Sequence, residues 1–353
     1  MRILWLTVDR SSHIPRIFDP LREAFVLLEP DTKIIAHSRW NRDSISNDGH
    51  PYEPVLDPSW INEFDLVFTD AIFAYMKTEW NKIYIPKCVL FEDVHGPVVK
   101  NYMNKTRREF GFNFFFIRYR DTSIRMHEWL LRESTYWLPH SIDTSIFYST
   151  GFTNRPIRTL LTGQRLDMVY PDRDDADSQL HNMPGFLCIP RPKEGVEDPW
   201  PIRSDYAGLL RASRICIGDG SKYEYPTLKH FEIPACGSVL LMYHFKEMND
   251  LGFDGMFTSV DMYNYKSWKH AVIELLSNEE RMADISCAGY NVVQLHHTAD
   301  IRALELKGVF EKILGPSSAH HLLQEISDGT SYLCHQNNVP TKRIEETSSF
   351  NSQ

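Results

Sequence analysis

The sequence lacks the glycine-rich phosphate-binding motifs of two large classes of nucleotide-binding enzyme. No G-x-x-x-x-G-K-[ST] segment occurs in the chain, which excludes the P-loop kinases and NTPases. The first apolar run, RILWLTV, is followed by DRSS and not by G-x-G-x-x-G, which disfavours a nicotinamide-dependent dehydrogenase. A nucleotide that binds this chain must be held by other groups.

Paired cysteines, long apolar runs and an excess of basic residues are also absent. The six cysteines form no C-x-x-C pair and mostly lie in apolar segments, so we expect reduced core thiols. The run after Met1 is too short for a signal peptide, and none reaches the roughly 18 residues of a membrane span, so we expect a soluble, cytoplasmic protein without a transmembrane segment. The net charge of -9 argues against a nucleic-acid partner and favours local phosphate sites.

The order of apolar and amphipathic segments predicts two α/β domains. A chain of 353 residues with 42% hydrophobic side chains is long enough for two cores. Short apolar runs alternate with helical patterns in both halves, which is typical of doubly wound parallel sheets with ligands in the cleft beyond the strand ends. The predicted boundaries are a Rossmann-like domain at 1–140, a linker at 141–157, a second Rossmann-like domain at 158–315, and a segment with a final helical pattern and a loose polar tail at 316–353.

The segment YEYPTLKHFEIPACG is the most informative stretch for function. Pro226 suits a first helical turn, and Gly237 suits a helix end before the apolar strand SVLLMY. The sequence therefore predicts a short helix whose N-terminus points at the strand ends, with Lys229 one turn in. Free backbone N–H groups and a lysine together suit a diphosphate.

Two glutamates accompany this lysine. Glu232 shares a helix face with Lys229, and Glu224 lies eight positions earlier in the preceding loop. Carboxylates there are suited to accept hydrogen bonds from sugar hydroxyls beside the phosphates. The alternative is an ordinary surface helix with solvated charges, but the strand-loop-helix-strand context favours a functional site.

This combination resembles the donor motif of GT-B glycosyltransferases, which are built from two facing Rossmann-like domains. The likeness is closest to the CgeB-like, spore-maturation-type group with its C-terminal glycosyl transferases group 1-like donor domain. CVLFEDVHG, WLPHSIDTSIF, LLTG with YPDR, SDYAGLLRASRICI and LHHTADIRALEL fit that group in order. The likeness spans the chain from its first strand to Leu314 and is strongest from residue 130 onward.

The resemblance implies that the second domain binds a nucleoside-diphosphate sugar and that Glu224 belongs to the catalytic centre, as in retaining enzymes. Arg173 stands where the group's Y-P-x-R motif has its arginine. Lys229 stands where many relatives carry an arginine, and a lysine does not bind phosphate in the same geometry. The donor-binding residues that it assigns are Gly163, Arg173, Lys229 and Glu232, and Thr227 of the same segment is a further donor-binding candidate.

Candidates also occur in the first domain. Asp93 and His95 follow a predicted strand, and in similar enzymes a histidine at the position of His95 lines the reaction centre. The alternative is that both residues cap the helix that starts near Pro97. Asp9 and His13, in the first strand-to-helix loop, are candidates for the acceptor side, with a capping loop as the alternative.

Two patterns that suggest a metal ion are disfavoured. Asp172 and Asp174 match D-x-D, but no apolar strand directly precedes them. His296 and His297 are adjacent, and neighbouring helical residues point about 100 degrees apart. We therefore expect no metal or other cofactor, with the nucleoside-diphosphate sugar as a substrate.

The prediction for function is a metal-independent, retaining glycosyltransferase that moves a sugar from a nucleoside-diphosphate sugar to a hydroxyl of a glycan or small-molecule acceptor. Two alternatives stay open. One is a nucleotide-sugar epimerase on the same fold, and the other is a catalytically silent protein that binds sugar nucleotides.

Overall fold

A computed structural model describes residues 1–8, 19–37, 55–164, 168–190, 204–256, 258–260 and 267–315. Asp9, His13 and the segment 316–353 lie outside these ranges, so the predictions for them stay predictions. None of the helices in the described ranges has both the length and the apolar composition needed to cross a bilayer.

The first half of the chain forms a parallel six-stranded sheet in the order β2-β1-β3-β4-β5-β6. Its strands are β1 Ile3–Val8, β2 Lys33–His37, β3 Leu66–Thr69, β4 Lys87–Phe91, β5 Phe114–Ile117 and β6 Ser134–Trp137. The connecting helices are α1 Asp19–Leu28, α2 Pro58–Ile61, α3 Pro97–Arg108 and α4 Arg120–Met126, with 3-10 turns at Ile72–Ala74, Trp80–Lys82 and Glu128–Arg132. Strands β1, β3 and β4 are buried along their whole length, which explains their unbroken apolar sequence.

The second half forms a parallel five-stranded sheet in the order β11-β10-β9-β7-β8. Its strands are β7 Ile157–Gly163, β8 Phe186–Pro190, β9 Ser213–Ile217, β10 Val239–Tyr243 and β11 Thr258–Val260. The helices are α5 Pro171–Leu180, α6 Ser204–Arg211, α7 Lys229–Ala235, α8 Lys246–Met248, α9 Ser267–Leu276, α10 Glu279–His296 and α11 Ala299–Leu314, with a further turn at Asn249–Phe253. The strand order reverses between β7 and β9, where a doubly wound sheet opens a crevice for ligands.

Helix α11 crosses back to the first sheet. Its residues Ala303 and Phe310 are fully buried in the cluster that contains Trp5 and Phe68. The Phe310 ring lies 5.4 Å from the Phe68 ring in an edge-on contact. The sequence-based boundaries include this helix in the second domain, but its packing partners belong to the first sheet.

Helix α7 begins later than the sequence predicts. Pro226 was expected in its first turn and Lys229 one turn in, but Lys229 is the first helical residue. The residues before it form tighter turns, in which the His230 N–H donates to the Thr227 carbonyl at 3.0 Å. The helix end agrees with prediction, since Gly237 follows it with φ +68°.

Candidate active site

The carboxyl end of β7 brings a glycine and two cations together. Gly163 has φ +116°, a backbone conformation that residues with a Cβ rarely adopt. A Cβ added there would lie 2.6 Å from Lys229 Nζ and 2.7 Å from Arg173 Nη1. Both charged groups therefore point at the same place beside the β7–β9 crevice, so three of the residues assigned to the donor are neighbours.

Lys229 is held by the end of β7. Its Nζ donates to the backbone carbonyl of Thr162 and, at 2.9 Å, to the Thr162 hydroxyl. Burial lowers the pKa of Lys229 well below its usual value, and the neighbouring Arg173 lowers it further. An anionic ligand at this point would favour the charged lysine.

Arg173 lies in the first turn of α5 and is almost fully buried. Its Nη1 donates to the Gln164 carbonyl at 2.7 Å, and its guanidinium lies 3.8 Å from the centre of the Tyr170 ring. Its Nε lies 3.2 Å from an oxygen of Asp219, a carboxylate that is 1% exposed. Asp219 thus fixes the guanidinium that faces Gly163.

Asp219 was not among the residues selected from the sequence. The available signal was its position in RICIGDG, just beyond the end of β9 at Ile217. In a doubly wound sheet, that position lies at the crevice where ligands bind.

Glu232 is buried in α7, three positions after Lys229. Burial raises the pKa of Glu232 to about 8, although Lys229 acts in the opposite direction. At neutral pH the protonated carboxyl is favoured, so it can both donate to and accept from a sugar hydroxyl.

Thr227 is engaged within the protein. Its hydroxyl lies 3.0 Å from Nδ1 of His230 and 3.5 Å from the Asp219 carbonyl. These contacts stabilise the turn that precedes α7. Its role in donor binding stays a prediction.

Helix α4 of the first domain contacts the second domain. The buried carboxyl group of Glu247, in α8, accepts hydrogen bonds from the backbone N–H groups of Arg120 and Asp121 at 3.0 Å each. The Arg120 guanidinium also forms an ion pair with Asp250. These contacts connect the two domains at one end of α4.

The other end of α4 faces the β9–α7 loop, residues 218–228. Glu224 is exposed, has φ +58°, and lies 4.0 Å from Nη1 of Arg125. The catalytic candidate Glu224 is therefore directed toward the first domain. Its positive φ in a residue with a side chain is the kind of backbone strain found at functional sites.

His95 reaches the same loop from the first domain. Its ring stacks on the Tyr223 ring with centroids 4.4 Å apart and an interplanar angle of 27°. Helix α3 begins at Pro97 with Gly96 at its N-cap, so neither Asp93 nor His95 is the N-cap residue. The Asp93 side chain is exposed. Catalytic roles for both stay predictions.

The two patterns that suggest metal binding form no cluster. Across the described ranges, no three His, Cys, Asp or Glu side chains are arranged to hold a metal ion. His297 is buried, with its two ring nitrogens 2.8 Å from the Leu251 carbonyl and 2.9 Å from Arg302 Nη2. Both ring nitrogens of His297 are therefore engaged within the protein, as in a residue that packs in the interior.

The raised pKa of Glu247 leads to a prediction for stability. Burial raises its pKa to about 8, so between its usual value and 8 the folded protein holds a proton that the unfolded chain lacks. The contribution of Glu247 to the free energy of unfolding is therefore greatest at acidic pH, and it is lost as the pH rises through 8. We expect the free energy of unfolding of wild type minus that of Glu247→Gln to fall by about 1.4 kcal/mol per pH unit from pH 6 to 8.

Urea denaturation of both proteins across this range measures that difference, in which the other titrating groups cancel. A pH-independent difference would show that Glu247 titrates alike in the folded and unfolded states.

Part of the chain matches a known protein family. Residues 191–308, which contain Asp219, Glu224, Lys229 and Glu232, match the family described as Glycosyl transferase-like. No curated protein sequence matches the chain.

Solved structures of similar fold cover most of the chain. HepE of Anabaena, solved in complex with UDP and glucose, has a TM-score of 0.59 at 10% identity, over 88% of this chain and 99% of that one. Sucrose-phosphate synthase of Thermosynechococcus elongatus has a TM-score of 0.59 at 10% identity, over 89% and 99%. An alpha-glucosyltransferase solved with UDP-glucose and DNA containing an abasic site has a TM-score of 0.58 at 10% identity, over 89% and 99%. The two parallel-sheet domains thus have the GT-B fold of glycosyltransferases, and the second carries a glycosyl transferase-like segment.

Proposed function

We propose that the protein is a retaining, metal-independent glycosyltransferase that moves a sugar from a nucleoside-diphosphate sugar to an acceptor hydroxyl. The observation that carries this proposal is the convergence of Arg173 and Lys229 on Gly163 at the β7–β9 crevice. Glu232 follows in the same glycosyl transferase-like segment as Lys229. The narrower CgeB-like grouping stays a prediction.

The two cations suit the leaving group of this reaction. Negative charge develops on the departing diphosphate, and Arg173 and Lys229 supply fixed positive charge where water is largely excluded. Once the donor has bound, contacts with Asp219 and Thr162 keep the two side chains in place, so little further reorganisation is needed when the charge develops. Positioning and charge stabilisation then supply the rate without a metal ion in this proposal.

The first domain supplies the other side of the reaction centre. We assign Glu232 to the donor's hydroxyls, and Glu224, Asp93 and His95 to the catalytic centre at the cleft. The contact between α4 and the β9–α7 loop would exclude the water that otherwise hydrolyses the donor. A glycan or a small molecule with a free hydroxyl is the proposed acceptor.

The donor is proposed to be a UDP-sugar, because two of the similar structures contain UDP with glucose or UDP-glucose. Thermal unfolding with UDP, GDP, ADP and their glucose conjugates tests the donor site directly. A ligand present at a hundred times its Kd stabilises the fold by about 2.7 kcal/mol. Failure of every diphosphate to shift the unfolding temperature would overturn the donor site.

Product analysis separates the reactions that this site permits. Glycosylated product, with an anomeric configuration in the NMR spectrum that matches the donor, supports a retaining transferase. Conversion of the bare donor to an epimer without any acceptor would identify an epimerase. Binding without turnover in an acceptor panel would favour a silent binding protein.

A further inference from the structure

Tyr223 joins the second domain to two parts of the first. Its backbone carbonyl accepts hydrogen bonds from the Thr122 hydroxyl and from Arg125 Nη2, both at 2.8 Å. Its ring stacks on His95 at 4.4 Å. One residue of the β9–α7 loop therefore touches both helix α4 and the histidine proposed for the reaction centre.

A continuous series of polar contacts links Tyr223 to the donor cations. The Tyr223 N–H donates to the Ser221 hydroxyl at 3.1 Å, and the Ser221 N–H donates to Asp219 at 2.5 Å. Asp219 in turn pairs with Arg173 at 3.2 Å. A shift of the Arg173 guanidinium onto a ligand would thus act on Asp219 and, through Ser221, on the backbone of Tyr223.

The backbone of this loop has an uncommon conformation on both sides of Tyr223. Ser221 and Glu224, on either side of Tyr223, both have φ +58°, which is rare for residues with side chains. Two residues beyond Tyr223, the ring of Tyr225 stacks on Tyr119 of the first domain at 4.0 Å. The loop is therefore held from both domains.

Tyr223 is the nearer of the two rings that stack on His95, at 4.4 Å against 6.1 Å for Tyr225. Within the described part of the chain, no side chain or backbone group hydrogen-bonds to the buried Nδ1 of His95. Stacked aromatic rings prefer a defined relative geometry, and the Tyr223 ring supplies the nearest flat surface.

We propose that Tyr223 is a positioning residue that couples occupation of the donor site to the orientation of His95. This inference rests on the proposed function, because it takes the Arg173 site as the place of the diphosphate. Binding moves Arg173 and Asp219, the loop passes the change to Tyr223, and the stacked imidazole follows. The test of this coupling measures the response of His95 itself.

The probe is UDP, and the reporter is the imidazole NMR signal of His95, identified among the 15 histidines by its loss in His95→Ala. Tyr223→Leu removes the ring and keeps the carbonyl that binds α4, whereas Tyr223→Phe keeps the ring. We expect UDP to shift the His95 signal in wild type and Tyr223→Phe but not in Tyr223→Leu. Tyr84→Leu, at a tyrosine that is 83% exposed, is the matched control and should behave as wild type.

Turnover gives a second, independent test. We expect Tyr223→Leu to lower kcat roughly threefold to tenfold, with Tyr223→Phe close to wild type in both kcat and the Kd of UDP. In the His95→Ala background, Tyr223→Leu should have no further effect on kcat, because its role is exerted through His95.

The possible results distinguish failure of the coupling from failure of the proposed function. If UDP binds to Tyr223→Leu and shifts the His95 signal as in wild type, the coupling is overturned while the donor site stands. An equal loss of kcat with and without His95 likewise overturns it. If no nucleoside diphosphate binds the wild type, the proposed function fails, and the coupling fails with it.

Discussion

Replacing Lys229 by methionine is expected to weaken UDP binding by roughly tenfold to a hundredfold while leaving the fold as stable as wild type. The loss of affinity follows from removing a charged hydrogen-bond donor whose Nζ points at the Gly163 position. The unaltered stability follows from the lysine's surroundings. Burial lowers its pKa well below the usual value, so folding disfavours the ammonium that the unfolded chain carries at neutral pH.

Isothermal titration calorimetry with UDP measures the affinity, and urea denaturation measures the free energy of unfolding. Lys246→Met makes the same change at an exposed lysine of α8 and should alter neither quantity. Lys229→Arg restores a cation at this position, so we expect it to retain most of the affinity. Unchanged UDP binding in Lys229→Met would place the phosphates elsewhere.

Much of the fold could be predicted from local sequence patterns. Strands that are buried on both faces read as unbroken apolar runs, as in β1 and β4, and helical patterns between them predict a parallel sheet. Comparison with the structures confirms the prediction of two such sheets in a GT-B arrangement. The sheet against which α11 packs could not be predicted from such patterns. Its pattern shows that Phe310 is buried but does not show against which sheet.

The candidate site, like the fold, could be predicted from the sequence only in part. Lys229 lies more than 50 positions after Gly163 and Arg173, and the family resemblance, not a local pattern, groups the three residues that meet in the structure. Tyr223 has no signal in the sequence, because its contacts with α4 and His95 depend on how two domains are placed. The start of α7 depended on a turn set by Thr227, a side-chain contact that propensity does not capture.

Replacing Gly163 by alanine is expected to abolish most UDP binding through a single added methyl group. That methyl would lie 2.6 Å from Lys229 Nζ and 2.7 Å from Arg173 Nη1, closer than non-bonded atoms approach. Both nitrogens are the far ends of flexible side chains, so they can swing away and let the chain fold. The collision therefore displaces the cations rather than unfolding the domain, and we expect a loss of affinity of more than about tenfold.

The substitution also strains the backbone, and this second effect must be separated from the first. Alanine at φ +116° costs about 1–3 kcal/mol of stability wherever it occurs. Gly151 has φ +94° with no atom within 4 Å of an added Cβ, so Gly151→Ala reproduces the strain without the collision. We expect urea denaturation to show a similar loss of stability for both variants.

Calorimetry with UDP then distinguishes the two effects. Gly151→Ala should bind UDP as wild type does, and Gly163→Ala should not, although both are strained to a similar degree. Equal affinities in the two variants would mean that the space beside Gly163 is not where the diphosphate meets its cations. A lower affinity confined to Gly163→Ala ties nucleotide binding to the place where Arg173 and Lys229 converge, because a methyl group adds no charge and removes no hydrogen bond of its own.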